Sequence, residues 1–181
     1  MPYFTHGETK YKLILLYIAE IAEHAKTHLT RDQLYRTAIL NSQMDYFTFE
    51  DAMHDLEEDG LLTELRRPYG NCFALTQSGR ETLAMFEKSV PADERRKLDR
   101  YFSENQDQFR RETEIASRIE QNDDGQTELV LLITEHNRAI FTLRMQVSSE
   151  EQALELRSRW EANSESIYNY VWDALLDQPK R

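Results

Sequence analysis

The stretch Asp59-Gly60-Leu61-Leu62-Thr63-Glu64-Leu65-Arg66-Arg67-Pro68-Tyr69-Gly70-Asn71-Cys72-Phe73-Ala74-Leu75-Thr76 decides how the chain is read. Two extended runs, Leu61–Arg66 and Cys72–Thr76, flank Arg67-Pro68-Tyr69-Gly70-Asn71. Proline presets a turn dihedral, and glycine and asparagine tolerate a left-handed backbone, so the pattern predicts a β-hairpin. Gly60 stands just before it, where a helix commonly ends in a left-handed residue. After the hairpin, Thr76-Gln77-Ser78-Gly79 leads into a helix with Leu83 and Phe86 on its apolar stripe, ending near Ser89 before Pro91.

Three helices are predicted upstream. Tyr11, Ile14, Ile18, Ile21 and Ala25 recur at three- and four-residue steps and place helix one over about Thr9–Lys26. Thr30-Arg31-Asp32-Gln33 is a capping box that opens helix two, Arg31–Leu40. A polar connector follows, and Thr48-Phe49-Glu50-Asp51 is read as a second capping box. It opens helix three, Phe49–Asp59, with Phe49, Ala52, Met53 and Leu56 inward. Helix, helix, helix, hairpin, helix is the order of a winged helix-turn-helix, expected over residues 1–90.

Residues 91–181 are expected to form a second α+β domain. From Asp93 to about Gln121 the chain is polar with a sparse stripe of Leu98, Phe102, Phe109, Ala116 and Ile119, which predicts one long helix or two. Asn122-Asp123-Asp124-Gly125 ends it. Leu129–Thr134 and the alternation Phe141, Leu143, Met145, Val147 predict a two-stranded hairpin joined by His136-Asn137-Arg138. Ser149-Glu150-Glu151-Gln152 then caps a helix to about Leu176, with Ala153, Leu156, Trp160, Ile167, Val171 and Leu175 on one face. The fold class is therefore α+β, mainly helical: an N-terminal winged helix-turn-helix, a long helix, a β-hairpin and a C-terminal amphipathic helix. The run Leu129–Ile133 is apolar on both faces and needs cover, one side of it from the last helix through Trp160 and Ile167.

Composition narrows the function. The 181 residues carry a net charge of −11, with 22 basic and 33 acidic side chains. Residues 1–90 hold −5 of this and residues 91–181 hold −6. A polyanion of this kind repels nucleic acid and anionic lipid, which excludes a general nucleic-acid coat protein and a membrane-surface protein. The single cysteine, Cys72, permits no internal disulfide and fits a reducing cytoplasm. The N-terminus shows no secretory pattern and no apolar run long enough to span a bilayer, so a soluble cytoplasmic protein is expected. His24 and His28 have the i, i+4 spacing of a metal pair but no third ligand beside them. No phosphate loop, nucleophile elbow or cysteine pair is present. No enzyme, cofactor or metal site is expected.

Tyr46-Phe47-Thr48, Asp59-Gly60-Leu61-Leu62, Leu75-Thr76-x-x-Gly79-Arg80-x-Thr82-Leu83 and Ser149-Glu150-Glu151-Gln152-Ala153 resemble a domain-of-unknown-function family from Gram-positive bacteria, over nearly the full length. The N-terminal half is more distantly similar to PadR-type regulators. The resemblance implies a winged-helix fold and a role in transcriptional regulation, with no established reaction or effector.

In a winged helix, the third helix ordinarily enters the major groove and the wing lies along the backbone. Here helix three holds Glu50, Asp51, Asp55, Glu57, Glu58 and Asp59, and no Lys or Arg occurs between Arg36 and Arg66. The candidate contacts to double-stranded DNA are therefore Arg31 and Arg36 on helix two, Tyr46 and Thr48 before helix three, and Arg66, Arg67, Tyr69 and Asn71 on the wing. A homodimer is expected, with Phe102, Phe109, Trp160, Tyr168 and Trp172 as candidate interface residues. Two classes compete: a dimeric winged-helix transcriptional regulator, and a winged helix used as a protein–protein interaction module without DNA.

Overall fold

The structure, a computed structural model, describes residues 6–136 and 138–176. In chain order it forms α1 (His6–His24), β1 (Leu29–Thr30), α2 (Arg31–Asn41), α3 (Tyr46–Glu58), β2 (Leu62–Arg67), β3 (Gly70–Leu75), α4 (Gln77–Phe86), α5 (Ala92–Glu114), β4 (Ile115–Gln121), β5 (Thr127–Glu135), β6 (Arg138–Gln146) and α6 (Glu150–Leu176). A short 3-10 turn, Glu87–Ser89, precedes α5. The class is α+β and mainly helical, as expected. Contacts divide the chain into two units, 1–110 and 111–181. The division falls late in α5 rather than at residue 91, because Leu98, Phe102 and Phe109 of α5 are buried in the core of the first unit.

The first unit has the winged-helix order. Its sheet runs β1-β3-β2, all antiparallel, with Leu29 opposite Phe73, Leu62 opposite Leu75 and Arg66 opposite Asn71. Ile14, Leu15 and Ile18 of α1, Leu34 of α2, and Phe49, Met53 and Leu56 of α3 fill its core. The first capping box forms: the Gln33 amide N–H donates to Thr30 Oγ1 at 3.3 Å, and Thr30 N–H donates to Gln33 Oε1 at 3.0 Å. The same buried Gln33 donates through Nε2 to the Phe109 carbonyl at 3.2 Å, so one side chain fixes both the entry to α2 and the course of α5.

The start of α3 differs from expectation. Asp45, not Thr48, is the cap: Thr48 N–H donates to Asp45 Oδ1 at 2.8 Å. That bond holds the Asp45 carboxyl below its ordinary pKa. Tyr46 and Thr48 thus belong to the first turn of the helix rather than to a connector. An aspartate has the stronger preference at this position, and its charge complements the helix dipole.

In the second unit the sheet has three strands, β4-β5-β6, not two. Residues 115–121 pair with 127–133 in register, from Ile115 opposite Ile133 to Gln121 opposite Thr127. The alternation Ile115, Ser117, Ile119 suits a strand, and β5, apolar on both faces, needs hydrogen-bonded neighbours on both sides. α5 therefore ends at Glu114, short of the expected Gln121. Asn122 turns the β4–β5 hairpin, its Oδ1 accepting from Gln126 N–H at 2.8 Å and Asp124 N–H at 3.1 Å. Of the expected β5–β6 turn, His136 is left-handed and Asn137 lies outside the described residues. α6 covers one face of the sheet with Ala153, Leu156, Trp160 and Ile167 over Ile115, Ile119, Leu129 and Leu131. The other face carries ion pairs, Arg144 Nη1 lying 3.3 Å from Glu120 and 3.4 Å from Glu128.

Gly79, in the first turn of α4, passes directly beneath Leu61; a Cβ there would overlap the Leu61 carbonyl oxygen. Because the obstacle is backbone, the wing root must shift to relieve it. Gly79→Ala is expected to destabilise the chain by about 1–3 kcal/mol. Urea unfolding should show a lower midpoint at unchanged slope.

Candidate nucleic-acid interface

The acids of α3 are not all free. Arg31 sits at the first position of α2, fixed by the Thr30 cap, and its guanidinium crosses to α3. Nη2 lies 2.8 Å from Glu50 Oε2 and Nη1 lies 3.0 Å from Glu57 Oε1. The same group lies over Phe49 and Phe73, at 6.0 and 5.8 Å from the ring centroids. The hydrogen bond that Arg31 donates to Glu50 is the largest cause of its raised pKa. From α1, the largely buried Lys12 places Nζ 2.6 Å from Asp55 Oδ2. His54 approaches Glu58 at 3.7 Å on an exposed face. Glu50, Asp55 and Glu57 are thus matched by cations from the two neighbouring helices.

The matching engages the residues expected to meet phosphate. Arg31 is occupied by two carboxylates. Arg36 pairs with Asp32 at 3.0 Å within its own helix. Thr48 is half-buried and lines a polar cleft between α1 and α3 with Lys12, Asp51 and Asp55. Tyr46 is exposed and meets Tyr35 edge-on at 5.6 Å. Beside it Phe47, which sequence reasoning passed over, is 77% exposed. Lys12 was also passed over; a lysine inside the apolar run Tyr11–Ala22 was the available signal.

The wing residues divide between two faces, because alternate side chains of a strand point oppositely. Glu64, Arg66, Asn71 and Phe73 share one face by register. Phe73 is the ring beneath Arg31, so this face adjoins α3. Arg66 is exposed on it, while Asn71 donates to Glu64 Oε1 at 2.7 Å. Arg67 lies on the other face with Cys72, whose thiol donates to the Leu65 carbonyl at 3.7 Å. Burial pushes the Cys72 thiol and the Tyr69 hydroxyl up in pKa. Arg67 also bears on His28: burial first, then the Arg67 charge, hold that imidazole below its ordinary value, with Glu23 opposing and Arg80 adding. The predicted set is therefore not one patch. Arg66 is exposed on the face that carries Phe73; Arg67 lies on the opposite face.

The candidate interface residues also separate. Phe102 and Phe109 are buried in the first core and Trp160 in the second, so these three have no surface to offer a partner. Their aromatic character reflects the chain's own packing. Tyr168 is half-buried against Phe141 at 5.7 Å, and Trp172 stands 6.2 Å from Tyr168 with 48% of its surface open. Among the described residues, no group of three His, Cys, Asp or Glu is placed to hold a metal ion, and no helix is long and apolar enough to cross a membrane.

The chain belongs to the family described as domain of unknown function DUF4364, whose model matches residues 11–175. No curated protein matches it. Among solved structures it is similar to the crystal structure of SSV1 F-93, with 17% identity, 59% of this chain and 96% of that chain covered, and a TM-score of 0.35.

Arg31→Ala should cost about 1–2 kcal/mol, since two partly exposed pairs and the stacking on Phe49 and Phe73 are lost together. A double-mutant cycle with Glu57→Gln should return a coupling of about 0.5–1 kcal/mol, read by chemical denaturation. A coupling near zero would remove the bridge from the account. His28 gives a pH signature. Its folded pKa is depressed, so the unfolded state takes up the proton more readily. The stability it confers is present above pH 6.5 and is lost as pH falls toward the folded pKa. His28→Gln should flatten this part of the stability profile between about pH 7.5 and 5 relative to the parent.

Proposed function

We propose that this chain is a dimeric winged-helix transcriptional regulator of the cytoplasm that contacts double-stranded DNA wing-first, with no catalytic role and no cofactor. The observation that carries this reading is the internal neutralisation of α3. Glu50 and Glu57 are held by Arg31 and Asp55 by Lys12, and Arg66 stands exposed on the wing face that adjoins them. The carboxylates most opposed to a phosphate backbone are thereby screened without a bound ion. The resemblance of the N-terminal half to PadR-type regulators supports the same reading.

Physical limits follow from the same groups. Asp51, Glu58 and Asp59 remain exposed on or just after α3, so insertion of this helix into a major groove meets net repulsion. Direct base reading by α3 is confined to its first turn, where Tyr46 stands, and sequence selection falls to the wing and to groove shape. The second reading, a protein–protein interaction module without DNA, is favoured by a specific observation. Leu40, Tyr46 and Phe47, around the α2–α3 connector, are exposed together at the edge of an acidic helix. That combination suits a basic partner protein with an apolar pocket.

Salt titration separates the two. Each phosphate contact contributes about −0.9 to the slope of log K against log salt. A wing-first dimer with one or two contacts per protomer predicts a slope of about −2 to −4, smaller than that of a helix-reading repressor. Arg66→Ala should reduce the magnitude of the slope by about 2 per dimer. A parent protein that binds no genomic fragment at low salt would leave the interaction-module reading in its place.

A further inference from the structure

Carboxylates of the second unit gather at one end of its sheet. Glu114 just before β4, Glu135 at the end of β5 and Glu165 on α6 line one cavity of about 340 Å³. Its floor is apolar. Ile115 and Ile133 are cross-strand partners on the face that α6 covers, and Tyr168 of α6 closes one side, edge-on to Phe141. A β-bulge adds the remaining wall. Ile133 pairs with Phe141 but Thr134 pairs with Ala139, which leaves Ile140 as the extra residue. A bulge re-aims a side chain, and Ile140, 47% exposed, lines the cavity.

One polar group inside lacks a partner. Ser164 of α6 is 3% exposed and lines the same cavity, yet among the described residues its hydroxyl meets no hydrogen-bond partner. A buried hydroxyl in that state is unfavourable unless something else bonds to it. Thr134, which also lines the cavity, is already committed: its Oγ1 donates to the Thr113 carbonyl at 2.6 Å. Charge is unbalanced as well. Among the described residues Glu165 meets no cation, Glu135 meets only His136 at 4.0 Å, and Arg138, opposite Glu135 in register, forms no ion pair. The three carboxylates do not converge as metal ligands must, so they ring a volume rather than a point.

We propose that this cavity binds a small organic cation, an ammonium or guanidinium group on a short apolar body. The charged group sits among the carboxylates, where the Ser164 hydroxyl can accept from one of its N–H groups. The apolar body lies on Ile115, Ile133 and Ile140, and the Tyr168 ring adds an aromatic wall that suits a cation. Each feature disfavours an alternative. A neutral apolar molecule leaves the carboxylates unused, and an anion is repelled by them. The same chemistry is carried by a free amine and by a lysine side chain of a partner. This inference does not rest on DNA binding.

The test is a titration of the full chain near neutral pH, followed through the backbone amide NMR signals of residues 133–135 and 164–168. The probes are benzylamine, benzyl alcohol and the capped peptide acetyl-Gly-Lys-Gly-amide. Benzylamine is expected to bind with a Kd of about 0.1–10 mM, ordinary for a ligand of so few atoms. Benzyl alcohol has the same shape without the charge and should bind about tenfold more weakly. Glu165→Gln should weaken benzylamine by about three- to tenfold, since the site is partly open, and leave benzyl alcohol unchanged. Glu165 is exposed, so this variant keeps the fold. Ser164→Ala should weaken benzylamine by about threefold. Tighter binding of the peptide than of benzylamine assigns the cation to a partner's side chain, and weaker binding assigns it to a free molecule; either upholds the site. Equal affinity for benzylamine and benzyl alcohol overturns the proposal. So does an unchanged affinity in Glu165→Gln, a set of shifts spread over the acidic surface instead of the cavity, or no shift at about 20 mM benzylamine. No nucleic acid enters the titration, so its failure leaves the DNA reading untouched.

Discussion

The guanidinium of Arg31, held between Glu50 and Glu57 and packed over Phe49 and Phe73, is the contact on which the charged surface of α3 depends. It joins α2 to α3 and decides how much charge α3 presents. Both pairs are partly exposed, so each contributes a few tenths to about 1 kcal/mol rather than the several expected of a buried pair. Their electrostatic effect exceeds their effect on stability. Without Arg31, two more carboxylates would face any incoming polyanion. With it, the cation that phosphate would require is already committed.

This double consequence sets the balance between wing and helix. In most winged helices the third helix brings cations to the groove. Here α1 and α2 supply Lys12 and Arg31 to α3 from behind, and the helix remains net acidic. The two arginines of the wing, Arg66 and Arg67, point to opposite faces. Arg67 shares the back of the sheet with Cys72 and its charge bears on His28, while Arg66 is exposed on the opposite face. Under the proposed DNA reading, few phosphate contacts mean modest non-specific affinity for each wing, and pairing two wings in a dimer would raise the occupancy of a site.

Much of the fold was legible because its signals are local. The Thr30–Gln33 capping box, the Pro68–Gly70 turn and the left-handed Gly60 each work over three or four residues, and each formed where the sequence placed it. Errors arose where a local pattern had two solutions. Thr48 and Asp45 could each cap α3, and the charged side chain prevailed at the helix terminus. Ile115–Gln121 carries helical spacing through Ala116 and Ile119 but also strand alternation through Ile115, Ser117 and Ile119. The unpaired edge of β5 selected the strand. The site was less legible, because it rests on contacts between residues distant in sequence. Nothing near Arg31 announces Glu57, and nothing near Lys12 announces Asp55.

Aromatic residues show the same limit from the other side. Trp160 and Trp172 lie on one helix, and the sequence offers both as interface candidates. Trp160 has Phe141 stacked against it at 6.1 Å and is buried. Trp172, three turns later, meets Tyr168 edge-on at 6.2 Å and is about half exposed. Periodicity reports which way a side chain points from its helix, but not whether anything stands opposite. A three-stranded sheet can cover only part of a helix of 27 residues. The apolar stripe therefore runs past the sheet, and Leu175 and Leu176 stand exposed beyond it, whereas Phe102 and Phe109 of α5 are taken up by the chain's own core.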